Sequence, residues 1–266
     1  HGEVSLFTRP RRFGKTLALS MIRTYFELEY SETGEILDNR KYFEEKKIME
    51  AGERYTSEMG QYPVIAVSLK SARQPSYAMA YDSLIDEIAK EYDRHSYILN
   101  GQALSEAERI KFQSILNGEA KEIDYAKSLE YLSYCLEKFH RKQTIILIDE
   151  YDVPLETAYF RGYYSEMIDF IRSLFESALK SNESLKFAVI TGCLRISKES
   201  IFTGLNNLQI ISILNQNYAE YFGFTQLEVE KMLEFYGLEE KKEEVKHWYD
   251  GYLFGNTEVY NPWSMV

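Results

Sequence analysis

Short apolar runs alternate with long amphipathic stretches along this chain, and this alternation predicts a parallel β-sheet flanked by helices. Five runs are typical of strands, and they begin near positions 4, 64, 145, 187 and 210. The run 145–148 has no polar alternation, which is the pattern of a strand buried on both faces. Between the runs, apolar residues recur every three or four positions, as they do in amphipathic helices.

Four long helices are predicted, over 15–30, 77–92, 125–139 and 164–179. We expect the first to be buried on all sides, with Leu17 and Met21 among its inward-facing residues. After position 217 the composition changes. Thr225 and Glu228 form a capping-box pattern ahead of a further helix, and a charged helix is predicted over 238–248.

This pattern predicts two parts. The first is an α/β core over 1–217 with helical insertions near 31–62 and 93–140, and the second is a small helical lid or adaptor over 218–266. The aromatic residues of the second part are expected to pack it against the core rather than to bind a ligand. They are Trp248, Tyr249, Tyr252 and Trp263.

Composition and charge exclude several classes of protein. The 266 residues are 45% apolar with a formal net charge of −11, which weighs against a surface that binds nucleic acid throughout. Cys135 and Cys193 are far apart and have no metal-ligand spacing, which favours a reducing cytoplasm over a disulfide framework. No apolar run approaches the length of about 20 residues that a membrane-spanning helix needs. The opening residue is not methionine, so we expect a missing N-terminal segment.

The first chemical signal lies between the first strand and the first helix, in the segment Thr8-Arg9-Pro10-Arg11-Arg12-Phe13-Gly14-Lys15-Thr16. Its position is that of a P-loop, where a helix N-terminus offers free N–H groups and a positive dipole end to phosphate. Gly14 allows close approach of the backbone, Lys15 is predicted to reach the β- and γ-phosphates, and Thr16 to ligate Mg²⁺. The usual first glycine is replaced by Arg9, so the motif is incomplete.

The second signal is the pair Asp149-Glu150, which ends the buried strand at the edge where α/β proteins bind ligands. Asp149 is predicted to hold Mg²⁺ through its water shell, and Glu150 to activate the attacking water as general base. Two weaker candidates follow. Thr191 ends a strand expected between the two motif strands, where it would sense the γ-phosphate, and Arg195 could reach phosphate in its own site or a neighbouring subunit's.

With these residues identified, the sequence resembles a bacterial AAA-ATPase-like family that is often joined to a C-terminal PD-(D/E)XK nuclease-like domain. The matching stretches are TRPRRFGKTLALSM (8–21), IILIDEYDVPL (145–155), ITGCLRISKESIFTGLNNL (190–208), YFGFT (221–225) and WYDGYLFGNTEVYNPWS (248–264). The resemblance implies an ASCE-type P-loop sheet of order 5-1-4-3-2, a helical lid, ATP as the nucleotide and a cytoplasmic protein. It also implies that arginine at position 9 is usual, and that a nuclease-like domain is missing after Val266.

Four functions are considered for a chain with these signals, in order of preference. The leading expectation is Mg²⁺-dependent ATP hydrolysis that drives or gates an effector domain, with Lys15, Glu150 and Arg195 as catalytic residues and the loop 9–16 and Thr191 holding ATP. The alternative is a nucleotide-gated switch or scaffold that binds ATP or ADP with little or no hydrolysis. With either function, a homo-oligomer would let Arg195 act in a neighbouring subunit's site. Glu150 favours hydrolysis, whereas the missing loop glycine favours the switch. A small-molecule kinase ranks third and a nucleic-acid-binding module last.

Overall fold

A five-stranded parallel sheet forms the centre of the computed structural model, which describes residues 3–31, 35–194, 201–202, 205, 207–249 and 251–265. The strand order is β2-β3-β4-β1-β5, which is the predicted order 5-1-4-3-2 seen from the other edge. The predicted α/β fold is therefore confirmed. The strands are β1 (Glu3–Thr8), β2 (Val64–Ser68), β3 (Thr144–Asp149), β4 (Leu185–Gly192) and β5 (Leu208–Ile211).

Helices cover both faces of this sheet. In the described residues they are α1 (Lys15–Phe26), α2 (Glu53–Thr56), α3 (Tyr77–Arg94), α4 (Glu106–Leu116), α5 (Glu122–Ala126), α6 (Ser128–His140), α7 (Val153–Arg161), α8 (Tyr164–Leu179), α9 (Gln226–Phe235), α10 (Lys242–Tyr249) and α11 (Pro262–Met265). Short 3-10 turns and α2 occupy much of the insertion near 31–62, and α4, α5 and α6 belong to the insertion near 93–140.

The sheet separates two hydrophobic layers because alternate residues of each strand point to opposite faces. On β3, Ile146 and Ile148 belong to the larger layer beneath α3, α6 and α8, whereas Ile145 and Leu147 belong to a smaller layer beneath α1. Every residue of β3 is buried, as expected for a strand that is covered on both sides.

Helix α1 differs from its prediction in length and in burial. It ends at Phe26 because Glu27 is extended and the N–H of Leu28 donates to the carbonyl of Tyr62. Leu17 and Met21 are exposed, so α1 covers the sheet with one face only. The predicted helix 125–139 is interrupted at Lys127, whose φ of −110° and ψ of 10° separate α5 from α6.

The lid segment, which we define as residues 218–266, contains three helices and also a small sheet that was not predicted. Strands β6 (Phe224–Thr225), β7 (Tyr252–Phe254) and β8 (Thr257–Tyr260) pair antiparallel in the order β6-β8-β7. The predicted capping box at Thr225 and Glu228 is present at the start of α9. The predicted charged helix over 238–248 begins instead with a 3-10 turn, and α10 follows it.

The lid segment contacts the core through a cluster of aromatic side chains. Phe13 of the loop before α1 is buried against Tyr252 and Phe254, at ring-centroid distances of 4.8 and 5.1 Å. Gly223 has a φ of 97°, and a Cβ there would lie 3.0 Å from the Phe13 ring, so the chain needs glycine at this position. Trp248, by contrast, is 72% exposed and does not pack against the core as expected.

A buried charged cluster connects the edge strand β2 to the neighbouring helices. Arg94 of α3 forms ion pairs with Glu27 and with Glu91, and its guanidinium also donates to the carbonyl of Val64. Burial opposes the charged form of Glu91, but the hydrogen bond from His95 and the charge of Arg94 outweigh it and lower its pKa to about 2. These contacts join α1, α3 and β2. None of the described helices combines the length and apolar character needed to cross a bilayer.

We expect Arg94→Met to lower the free energy of unfolding by about 3 kcal/mol at pH 7, because it removes the cation that the buried carboxylates of Glu27 and Glu91 share. Glu91 contributes stability above its unfolded pKa of 4.5, and this contribution is lost as the pH falls towards 2. Without Arg94 the Glu91 carboxylate is protonated more readily. The difference in unfolding free energy between the variant and the parent protein should therefore be smaller at pH 4 than at pH 7. Urea unfolding at both pH values measures this.

Lys90→Met is the matched control on the same helix, because Lys90 pairs with Glu87 at the surface. An exposed pair of this kind contributes less than about 1 kcal/mol. Equal losses of unfolding free energy in the two variants would contradict the conclusion that the Arg94 cluster stabilises this edge of the sheet.

Candidate functional site

The segment between β1 and α1 forms an open loop at the carboxyl edge of the sheet. Gly14 precedes α1 in the left-handed region, with a φ of 74°, and this turn directs the first N–H groups of the helix towards the edge. The backbone N–H groups of residues 15–17 have no acceptor among the described residues. Free N–H groups at a helix N-terminus are a ready site for phosphate oxygens.

A cavity of about 580 Å³ lies over this helix start. This volume is within the range of about 300–1,000 Å³ that is typical of small-molecule sites. Six of the predicted site residues line it, which are Arg11, Arg12, Gly14, Lys15, Thr16 and Glu150. The residue that follows β3 and the first turn of α1, far apart in sequence, therefore meet in one place.

Lys15 is the buried cation at the base of this site. Its Nζ donates to the carbonyls of Arg9 at 3.0 Å and Pro10 at 2.9 Å, and it lies 3.3 Å from Sγ of Cys193. Within the described part of the chain no carboxylate forms an ion pair with Lys15. Its charge is therefore neutralised only by carbonyl dipoles, which leaves it suited to an incoming anion.

Asp149 is the point where three elements of the site are joined. One carboxylate oxygen accepts a hydrogen bond from Oγ1 of Thr16 at 2.5 Å. The other accepts from the hydroxyl of Thr191 and from the N–H of Glu150, the latter at 2.9 Å. The carboxylate thus connects α1, β3 and β4, and Thr191 lies beside the acidic pair, where it supports Asp149.

The oxygen atoms of Thr16 and Asp149 are a donor set that fits Mg²⁺. This ion prefers hard oxygen ligands and usually keeps several waters, with one or two protein ligands besides the phosphates. The described residues contain no group of three or more His, Cys, Asp or Glu side chains that could hold a metal without a nucleotide. The set therefore suits a cation that arrives with a phosphate ligand.

Glu150 follows Asp149 in an unusual conformation. Its φ of 52° places it in the left-handed region, which non-glycine residues rarely adopt. The turn takes its side chain out of the strand direction and onto the wall of the cavity that Lys15 also lines. Its carboxylate has no hydrogen bond or ion pair with another described residue, so it is available to a water molecule in the cavity.

Arg9 does not contribute its side chain to the cavity, and the expectation that it holds phosphate needs correction. Its side chain is fully buried, and its Nη atoms donate to the carbonyls of Thr8, Ile211 and Tyr218 at 3.0, 3.1 and 3.3 Å. Its N–H is also engaged, because it donates to the carbonyl of Gly192.

The Arg9 guanidinium lies over two aromatic rings of the lid segment, Phe222 and Phe254, at 5.1 and 5.0 Å from their centres. Burial lowers its pKa to about 10, so it stays charged at neutral pH. No carboxylate among the described residues pairs with it. Arg9 therefore joins the loop to the lid segment.

Two other loop residues also lie outside the cavity. Phe13 packs into the lid segment as described above, and Pro10 offers only its carbonyl, to Lys15. Their side chains are therefore not phosphate ligands. Arg195 lies outside the described residues, so its predicted catalytic role stays a prediction.

The sequence analysis missed four residues of the cavity wall and one that supports it. The wall also contains Leu17, Cys193, Pro262 and Trp263. Asp152 is buried and accepts from the N–H groups of Cys193 and Leu194 at 2.9 and 2.7 Å, which fixes the chain after β4. A signal for Cys193 existed, since it directly follows Gly192, the last residue of the strand that contains Thr191. No local pattern marks Trp263.

Comparison with known proteins gives two findings. Residues 1–202 match the model of the AAA-ATPase-like family, whose description is "Predicted AAA-ATPase". The chain is also 33% identical over 128 residues to an uncharacterised protein in the vnfD 5′ region of Azotobacter chroococcum mcd 1. That stretch covers 47% of this chain and 24% of the relative. The chain thus spans well under two thirds of the relative's length.

We expect Arg9→Gly to destabilise the protein although it restores the usual first glycine of the loop. The change removes the donor to the carbonyls of Ile211 and Tyr218 and opens a void beneath two rings. The expected loss in unfolding free energy is about 2–3 kcal/mol, measured by urea unfolding. Hydrogen exchange should also become faster at the backbone amides of β7 and β8.

Arg11→Gly is the control in the same loop. Arg11 is exposed, and its ion pair with Glu156 is long, at 3.7 Å. It should cost less than about 1 kcal/mol and leave exchange in β7 and β8 unchanged. If Arg9→Gly were as stable as Arg11→Gly, the role of Arg9 as the joint between loop and lid segment would be refuted.

Proposed function

Since this chain belongs to the AAA-ATPase-like family of predicted ATPases, we propose that it binds ATP with Mg²⁺ in the cavity over α1 and hydrolyses it. The observation that carries the proposal is the 2.5 Å hydrogen bond between Thr16 and Asp149. It brings the hydroxyl that follows the phosphate-loop lysine against the carboxylate that ends a central strand. Thr16 belongs to the helix start that carries the free N–H groups, and this combination serves nucleoside triphosphates in P-loop proteins.

In the proposed complex the triphosphate occupies the helix start. The N–H groups of residues 15–17 donate to phosphate oxygens, and the Lys15 ammonium exchanges the carbonyls of Arg9 and Pro10 for the β- and γ-phosphates. Thr16 and Asp149 would hold Mg²⁺, which supplies positive charge against the β- and γ-phosphate oxygens. Arg11 and Arg12 add positive charge along the cavity wall.

Glu150 supplies the base for hydrolysis. Its free carboxylate accepts a proton from a water molecule, and the water oxygen bonds to the γ-phosphorus. The bond from that phosphorus to the bridging oxygen breaks, so ADP and inorganic phosphate leave. Lys15 stabilises the charge that develops on the bridging and γ-oxygens. Thr191 keeps Asp149 oriented through its hydroxyl.

We propose further that nucleotide binding affects the lid segment and, through the lid segment, an effector domain. Support comes from Arg9 and Phe13, which belong to the phosphate loop and yet pack against lid residues. The same observation favours the alternative function, a switch that binds ATP or ADP with little hydrolysis. A nuclease-like effector, a homo-oligomer and a cytoplasmic setting are parts of the proposal that rest on the sequence alone.

The first test is calorimetric titration with Mg-ATP. Lys15→Ala removes the cation at the base of the cavity, and we expect it to weaken Mg-ATP binding by at least about tenfold, since charge-assisted contacts to phosphate are strong. Lys180→Ala is the control, because Lys180 is exposed, directly follows α8 ahead of β4 and does not line the cavity. Equal affinity of Lys15→Ala and the parent protein would mean that the phosphate site is elsewhere.

The second test separates hydrolysis from binding. Glu150→Gln keeps the size of the side chain but cannot accept the proton, so kcat for phosphate release should fall by at least about a hundredfold. The Kd for Mg-ATP should stay within about threefold of the parent value. Glu183→Gln is the control and should keep full turnover. Glu183 is exposed and lies just before β4, at the amino end of that strand.

Two outcomes of this second test would change the proposal. Full turnover in Glu150→Gln would refute Glu150 as the base. Tight binding of Mg-ATP by the parent protein without phosphate release would favour the switch.

A further inference from the structure

One aromatic ring at the cavity has no role in the site described so far. Trp263 belongs to α11 at the end of the lid segment, and 68% of its surface is exposed. It lines the same cavity as Lys15 and Thr16. The triphosphate needs the helix start and the acidic pair, so the part of the cavity wall formed by the lid segment is left for another portion of the ligand.

The Trp263 ring is held at the cavity from two sides. The guanidinium of Arg12 lies over it at 5.0 Å from the ring centre, which ties the indole to the phosphate loop. The backbone N–H of Trp263 donates to the side chain of Asn261 at 3.0 Å, directly after the buried strand residue Tyr260. The end of β8 thus positions the backbone of Trp263, and Arg12 of the loop contacts its ring.

The open surface around the ring has the chemistry of a base-binding surface. Arg12 covers only part of the indole, and the exposed side chain of Leu17 adds an apolar contact on the same cavity wall. A flat apolar ring within reach of a triphosphate is suited to stacking on a nucleobase, because every base presents a π-face.

We propose that Trp263 is a binding residue that stacks on the base of the nucleotide held by the phosphate loop. This rests on the proposed nucleotide site and adds its base-binding part. Stacking recognises a nucleoside triphosphate over inorganic polyphosphate, and it does not by itself separate adenine from guanine. Because Trp263 comes from the lid segment and Lys15 from the core, a bound nucleotide would contact both parts of the molecule.

The test compares two ligands that share the triphosphate and differ in the base, Mg-ATP and magnesium tripolyphosphate, by calorimetry on the full chain. Trp263→Ala should weaken Mg-ATP binding by between about fivefold and a hundredfold, the range expected for the loss of one stacked base. Tripolyphosphate binding should change by less than about twofold, since it makes no contact with the ring. Trp263→Phe keeps a ring and should retain most of the affinity for Mg-ATP.

The matched control is Trp248→Ala, an exposed tryptophan of α10 that does not line the cavity. It should leave both affinities unchanged. The chain has two tryptophans, so Trp248→Phe also leaves Trp263 as the sole indole. Its fluorescence should then respond to Mg-ATP and stay constant with tripolyphosphate.

The outcomes separate this inference from the function on which it rests. Equal weakening of both ligands in Trp263→Ala, or no weakening of either, would overturn the stacking role while the phosphate site stands. A fluorescence response to tripolyphosphate as large as that to Mg-ATP would do the same. A parent protein that binds neither ligand would overturn the proposed nucleotide site and the stacking role with it.

Discussion

The arrangement of this site depends on the carboxylate of Asp149. It is the only group described here that bonds at once to α1 through Thr16 and to β4 through Thr191, while its own strand β3 lies at the centre of the core. A buried carboxylate has to be satisfied by hydrogen bonds, and each of its donors is on a different structural element or at a turn. The position of α1 over the sheet and the turn at Glu150 are therefore fixed by the same group.

Arg9 imposes the second constraint. Where a P-loop usually has glycine, this chain places a cation inside the molecule with carbonyls and aromatic rings as its neighbours. A buried charge that lacks an opposite charge is costly, and here only dipoles and ring quadrupoles compensate for it. The contacts of Arg9 connect residues 8–13, the end of β5 and the start of the lid segment at one point. This connection offsets the cost of burying the charge. The loop thus has less freedom than its sequence implies.

The sequence was sufficient to predict the sheet and half of the site. The buried run before Asp149, the glycine before Lys15 and the alternation of strands with helices are local patterns, and they led to the parallel sheet and to the residues around the helix start. The strand order was implied by the family resemblance. The direction of the Arg9 and Phe13 side chains could not be predicted, because most of their partners lie far along the chain, between residues 211 and 259. The sheet of the lid segment was missed because its strands have only two to four residues. The contact between Trp263 and Arg12 could not be located from the sequence, because the two residues are 251 positions apart.

The packing of Phe13 has a consequence for the order of events during synthesis on the ribosome. The chain emerges from its N-terminus, so the phosphate loop leaves the exit tunnel long before Phe254 and Val259, which bury the Phe13 ring. At translation rates of about 5–20 residues per second, this ring stays without its cover for on the order of ten to fifty seconds. During that interval the nascent chain presents an apolar ring beside a cationic loop, which is a surface that chaperones bind. Maturation of the site is therefore delayed until the last strand of the lid segment has been made.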